Sequence, residues 1–242
     1  MRTARRMASV VVVPALVAAG ACDGHDGREG SDGRDVGAGV PIAVVQVAAT
    51  PCDRPTARLG TGAVVGAGLV ITAAHVVEDD LRELLVDGRP ATVVALDTRT
   101  DSAVVAVAAG ATSTGGVAWA EAEATGTVQV LTSAGTVATT VERVVRLEVE
   151  DATDEAVHHR LALVLDGALA GGASGSPVVD ADGGMVGMVT VAHAGRDVTY
   201  ATAASELSAL LEAARDAGDT SAAAVPGNSV TGLSLAAADP CA

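Results

Sequence analysis

A chain of 242 residues holds one large domain or two small ones, and with 49% apolar residues it is a folded protein, not a disordered one. A net charge of −15 argues against a nucleic-acid partner, whose phosphates would repel it. Phe is absent, and Trp119 and Tyr200 are the only aromatics. The core must therefore be built from Val, Ala and other small side chains, which favours strands.

Residues 1–21 read as an export signal. Arg2, Arg5 and Arg6 form a positive n-region, the apolar stretch 7–19 is interrupted by Pro14, and Ala19-Gly20-Ala21 supplies a small-residue cleavage site. The apolar stretch is shorter than the about 20 residues a membrane-crossing helix needs. Cys22 follows at once, an order similar to a bacterial lipoprotein signal, in which that cysteine is lipidated and becomes the new N-terminus. Ala19 and Gly20 depart from the residues usual there. Lipid anchoring at Cys22, which would bring the membrane in as a partner, and ordinary secretion both place the protein outside the cytoplasm, at a bacterial cell envelope or beyond it. With Cys22 lipidated, Cys52 and Cys241 remain as an even pair in a compartment that permits disulfides. Their bond would tie the C-terminal tail to the start of the domain, with a chain-entropy ceiling of roughly 5 kcal/mol. No Cys-x-x-Cys occurs, so zinc and thioredoxin-like chemistry have no support, and no metal is expected.

Residues 22–40 alternate Asp, Gly, Arg and Ser without an apolar period, which predicts a flexible linker about 25 Å in root-mean-square span. Its Asp-Gly repeats lack the ligand spacing of a calcium loop. From residue 41 short apolar runs alternate with Gly, Asp and Thr. Strands are predicted at 42–47, 62–65, 69–72, 84–86, 91–96 and 103–107. After the Gly115-Gly116 break come 127–132, 137–150, 161–165, 177–179, 185–191 and 199–201. Two groups of six strands predict an all-β fold of two tandem six-stranded antiparallel barrels over residues 41–218. One helix is expected at 205–217, with Ser205 as N-cap and Leu207, Leu210 and Leu211 on one face. Residues 219–242 are expected to be a disordered tail.

Three segments carry chemistry. In Gly171-Gly172-Ala173-Ser174-Gly175-Ser176-Pro177, small residues let the backbone turn sharply around a serine and aim amide N–H groups at one spot, which acyl transfer needs. In Leu69-Val70-Ile71-Thr72-Ala73-Ala74-His75, a strand stops at two alanines and offers an imidazole at its end, suited to moving a proton. Asp101 precedes the apolar strand 103–107, where its carboxylate needs a partner; the Nδ1–H of His75 would supply one and fix the tautomer. Asp97 is the rival carboxylate.

Together these segments resemble the trypsin-like, chymotrypsin-fold serine proteases, and most closely the protease domain of HtrA (Deg) proteins without its PDZ module. "VITAAHVV", "DTRTDSAVVAV" and "DGALAGGASGSPVVDADGGMVGMVT" are similar to that family's three motifs in the order His75, Asp101, Ser174. The resemblance spans roughly residues 41–216. It implies Ser174 as nucleophile, His75 as general acid–base, Asp101 rather than Asp97 as its orienting carboxylate, and the N–H groups of Gly172 and Ser174 as oxyanion hole. Two positions depart from the pattern. Ala173 replaces the Asn or Asp usual there, so activation through an Asp salt bridge is not available. Ser176 replaces a glycine.

By the same register Ala168 and Leu169 form one wall of the primary specificity pocket and Thr190, Val191 and Ala192 another. No carboxylate stands there to receive Lys or Arg, so a small or medium aliphatic side chain is expected before the scissile bond. His193 is read as a loop residue. His158 and His159 are adjacent on a strand and face opposite sides, which argues against shared metal ligation. The expected activity is a serine endopeptidase acting on protein or peptide substrates through an acyl-enzyme, with no cofactor. The alternative is an inactive trypsin-fold envelope protein serving as a scaffold.

Overall fold

Val45, Val47 and Ala49 alternate with more exposed neighbours along β2 (Val44–Pro51), the period-two pattern of a strand with one buried face. The computed structural model, which describes residues 11–13, 42–66, 68–107, 116–150, 157–193, 196–222 and 241, continues that pattern into a closed barrel. Its other strands are β3 (Arg58–Gly66), β4 (Leu69–Thr72), β5 (Leu81–Val86), β6 (Arg89–Asp97) and β7 (Ser102–Val107). They close in the order β2-β3-β4-β7-β6-β5, every neighbour antiparallel. Val47, Val64, Val70, Val76, Val86 and Val105 fill the interior. A six-stranded barrel is narrow enough for valine and alanine to fill.

The second sheet contains β8 (Gly126–Thr132), β9 (Gly135–Glu150), β10 (Val157–Asp166), β11 (Pro177–Val179), β12 (Met185–His193) and β13 (Val198–Ala203). The order β9-β10-β13-β12-β11-β8 returns to its start because β8 also pairs with β9. A short strand, β1 (Val11–Val13), is added along the far half of β9, Val11 opposite Glu148 and Val13 opposite Arg146. Val128, Val130, Leu163, Leu165, Val178 and Val189 fill one side, while Val145, Leu147, Ala162, Val164 and Tyr200 pack on the other. The second half of β10 is buried on both faces from Ala162 to Leu165, which is why residues 161–165 read as an unbroken apolar run.

A third cluster joins the halves. Val65, Ile71 and Val104 of the first barrel meet Met185 and Met188 of β12 and Leu207, Leu211 and Ala214 of the helix α2 (Ala204–Ala222). The residues 207, 211 and 214 fall on one helical face, as the spacing predicts. The architecture is the expected one: two six-stranded units and a C-terminal helix. Several strand ends move by up to four residues, and two differences go further. α2 runs on through 219–222, where the sequence reading began the tail. The segment after β4 is not the end of a strand but a single helical turn, α1 (Ala74–Val77). Val76 and Val77 are both buried in this turn and pack into the interior of the first barrel. A disulfide joins Cys52 to Cys241, with Cα atoms 5.4 Å apart. Cys22 and the linker lie outside the described residues, as do the expected signal apart from 11–13 and residues 223–240.

Candidate active site

The site forms where α1 of the first barrel faces the loop between β10 and β11. Ala73 is extended, with φ −73° and ψ 138°, and α1 then swings His75 out of the barrel wall. The imidazole Nδ1 lies 2.9 Å from Asp101 Oδ2 and 3.1 Å from Oδ1. The backbone repeats the link, with His75 N donating to Asp101 Oδ1 at 3.0 Å and Ala74 N to the Asp101 carbonyl at 3.1 Å. Asp101 has a left-handed φ of +51°, a conformation Asp tolerates and one these bonds hold in place. The His75 side chain is 39% exposed and that of Asp101 14%, so the imidazole is reachable and the carboxylate behind it is sheltered.

Asp97 does not reach the imidazole. Its carboxylate accepts from the Arg99 backbone at 3.0 Å and pairs with the Arg99 guanidinium, closing its own turn. That pairing holds the Asp97 carboxyl below its ordinary range, although burial opposes it.

Opposite influences set the His75 pKa. Burial pushes it down; the hydrogen bond and charge of Asp101, with the charge of Glu78, push it up; Arg58 pulls it down again. The net is an imidazole above its ordinary value. Arg58 also touches this residue's backbone, donating to the His75 carbonyl at 2.8 Å while its other end pairs with Asp79. Beneath Asp101 lies Arg160, a buried cation on β10 that reaches the Arg99 carbonyl at 3.4 Å and faces the charges of Asp101, Glu206 and Asp97. Burial lowers its pKa.

Ser174 is held by backbone contacts from both barrels. Thr61 N donates to the Ser174 carbonyl at 2.8 Å, and Gly175 N to the Val189 carbonyl at 2.7 Å. Gly175 has φ +87°, and a Cβ there would stand 2.0 Å from the Thr61 carbonyl oxygen and 3.1 Å from Ala73 N. Only glycine fits, and its backbone presses against the residue that leads into α1. The Ser174 loop therefore packs against the chain leading into α1, although no hydrogen bond joins the Ser174 hydroxyl to the imidazole. Catalytic bonds of this kind commonly tighten only on substrate binding. Gly172 has φ +90°. Among the described residues neither Gly172 N nor Ser174 N donates to a backbone acceptor.

Of the residues expected to line the specificity pocket, Ala168 and Val191 are exposed, Leu169 packs against the second core, and Thr190 is buried with its hydroxyl 3.4 Å from the Tyr200 carbonyl. Asp197 Oδ1 accepts from Ala168 N at 3.0 Å, and Thr199 Oγ1 contacts Leu169 N and the Gly167 carbonyl. These polar groups are spent on shaping the loop. Ala192 and His193 are the last residues of β12, and their side chains lie outside the described set. His158 and His159 occupy successive positions of β10, opposite Val149 and Glu148. No group of three or more metal-binding side chains occurs among the described residues. A cavity of about 230 Å³ lies between the β8–β9 turn and residues 169–173.

The sequence reading did not single out Arg58, Thr61 or Arg160. Thr61 sits between two glycines and Arg160 stands at the head of the apolar run 161–165, but neither position reveals what its side chain bonds, and nothing local marks Arg58.

Comparison with known proteins bears on the family and the fold. The family model described as trypsin-like peptidase domain matches residues 60–188, more than half of the chain. No curated protein matches. Among solved structures, the active form of the Rv3671c protease from M. tuberculosis is similar, with a TM-score of 0.62 at 25% identity over 70% of this chain and 79% of that one. An inactive form, carrying a serine-to-alanine mutation, matches with a TM-score of 0.58 at 26% identity, over 71% and 86% of the two chains. The HtrA-type protease AlgW, in a structure with a tripeptide, shares the fold: TM-score 0.54, 21% identity, 73% of this chain and 61% of that one.

Proposed function

The chain belongs to the trypsin-like peptidase family, and we propose that it is a serine endopeptidase that works through an acyl-enzyme on Ser174. What supports this reading is the approach of both Asp101 carboxylate oxygens to Nδ1 of His75, with the Ser174 loop packed against the chain that leads into α1. With Nδ1 protonated and facing the carboxylate, Nε2 is the basic nitrogen. It takes the Ser174 proton as the hydroxyl oxygen attacks the scissile carbonyl. The resulting oxyanion accepts from Gly172 N and Ser174 N. His75 then gives its proton to the departing amine, and the acyl group is released when water, deprotonated by the same nitrogen, repeats the attack.

The residues expected to form the specificity pocket support one preference. Leu169 and Val191 offer apolar contact, while Thr199 and Asp197 are engaged with the loop backbone. This supports a small or medium aliphatic side chain before the cleaved bond. The signal-like residues 1–21, Cys22 and the Cys52–Cys241 bond support export, to a lipid-anchored or a secreted state.

A fluorophosphonate probe tests the chemistry. Labelling of the wild type that disappears in Ser174→Ala, with peptide turnover falling on the order of 10⁶-fold, is the expected outcome. A folded wild-type protein that takes no label supports the scaffold reading, which the unmade Ser174–His75 hydrogen bond and Ala173 favour.

A further inference from the structure

We propose that Thr61 is the positioning residue of the oxyanion loop, in the place left open by Ala173. This inference rests on the reading of Ser174 as nucleophile and of Gly172 N and Ser174 N as the oxyanion donors.

Hydrogen bonds of their own pin three of the four peptide units between residues 171 and 175. The Gly172–Ala173 unit is held at both ends: its carbonyl accepts from Thr61 Oγ1 at 2.8 Å and its N–H donates to Ala170 at 3.3 Å. The Ala173–Ser174 unit is held through its carbonyl, which accepts from Ser176 N at 3.0 Å. The Ser174–Gly175 unit is held by Thr61 N at 2.8 Å and by the Val189 carbonyl at 2.7 Å. Because a trans peptide points its N–H away from its C=O, fixing the Ala173 carbonyl also aims the Ser174 N–H.

The remaining unit, Gly171–Gly172, carries the other oxyanion donor and has no such bond among the described residues. With a glycine on either side, no Cβ restrains its rotation. Its orientation is inherited from its neighbour, and that neighbour's carbonyl is held by the Thr61 hydroxyl.

Thr61 is suited to the task. It is fully buried, so water does not compete for its hydroxyl. That hydroxyl donates to Gly172 and accepts from Ser133 N at 3.3 Å, linking β3, the β8–β9 turn and the Ser174 loop at one atom. The Thr61 carbonyl in turn accepts from Thr72 Oγ1 at 2.7 Å, next to the chain leading to His75. An apolar residue at position 173 can carry no charge into an activating ion pair; a neutral hydroxyl from the other barrel pins the same loop instead.

Thr61→Val keeps the shape and removes the hydroxyl, and Thr61→Ser keeps the hydroxyl. Removing an oxyanion donor costs about 10²–10³ in rate, and leaving one free to turn away costs part of that. Thr61→Val is expected to lower kcat by roughly 10- to 100-fold with KM changed by less than about threefold, and Thr61→Ser to restore most of it. Affinity for a peptide aldehyde, whose adduct puts an oxyanion into the hole, is expected to fall in step with kcat/KM. Affinity for a product peptide is expected to stay constant. If Thr61→Val does not fold, Thr61→Ala takes its place.

Unchanged kcat in the folded valine or alanine variant overturns the proposal, as does an unchanged aldehyde affinity or equal losses in valine and serine variants. Ser174→Ala measured alongside separates the two readings. Turnover that survives it removes the nucleophile assignment, whereas turnover lost there but kept in Thr61→Val removes only the role of Thr61.

Discussion

His75 is the residue on which opposing charges converge, and each contribution has a sign that can be read in a pH profile. A general base works when neutral, so activity is lost as pH falls through its pKa. Asp101 and Glu78 raise that pKa, while burial and Arg58 lower it. Replacing Asp101 by Asn removes the largest upward influence. The acid limb of kcat/KM should then move to lower pH, while kcat at its plateau falls by about 10⁴-fold because the tautomer is no longer held. Arg58→Met should move the same limb the other way, to higher pH. Arg58→Lys keeps the charge but loses the two-pronged grip on the His75 carbonyl and Asp79, so the limb should stay while kcat falls modestly. A pH–rate series over the three variants checks this. Limbs that move in the same direction for Asp101→Asn and Arg58→Met would contradict the electrostatic account.

The decisive element is the loop from Asp166 to Pro177, whose shape is set by close approach to the other barrel. Gly175 and Gly171 make a controlled pair. A methyl group at Gly175 meets the Thr61 carbonyl at 2.0 Å and Thr72 Oγ1 at 2.5 Å, on a backbone with φ +87°. At Gly171 nothing lies within 4 Å. Gly175→Ala should therefore cost about 3 kcal/mol or more and abolish labelling of Ser174, while Gly171→Ala should shift stability by less than about 0.5 kcal/mol. Urea midpoints for the two variants measure the contrast. This loop also shows what could be read from the chain alone. The strands were legible because each is an apolar run bounded by Gly, Asp or Thr, and β-branched residues suit a half-buried pleat. His75, Asp101 and Ser174 could be nominated because each stands where a strand gives way to small or polar residues. α1 could not, since its reason is the joint burial of Val76 and Val77 against a barrel not yet assembled. Thr61 and Arg160 act on residues 111 and 61 positions away, so no local pattern reveals their task.

On the scale of the whole molecule, one covalent bond links two distant parts of the chain, Cys52 and Cys241, at a sequence separation of 189. It also sits close to the catalytic clamp in connectivity. Cys52 N donates to the Asp80 carbonyl at 2.9 Å, Asp79 pairs with Arg58, and Arg58 holds the His75 carbonyl. Two effects of breaking it can therefore be separated. Cross-linking so long a loop restricts the unfolded chain, and removing such a bond typically costs 2–5 kcal/mol. Cys241→Ser should lower the urea midpoint and steepen the slope, because the unbridged denatured chain is more expanded and exposes more surface. Catalysis should behave differently. The Cys52 backbone is fixed independently, by Asp80 and by Arg82 donating to its carbonyl at 3.3 Å, so the clamp on His75 survives without the bond. At a temperature where the variant is fully folded, kcat should stay within about twofold of the wild type. The same comparison on wild type treated with a reductant controls for the substitution. A kcat that drops in the folded, unbridged protein would mean that tension from the tail reaches the imidazole through Asp79 and Arg58, and that the disulfide tunes the enzyme as well as stabilising it.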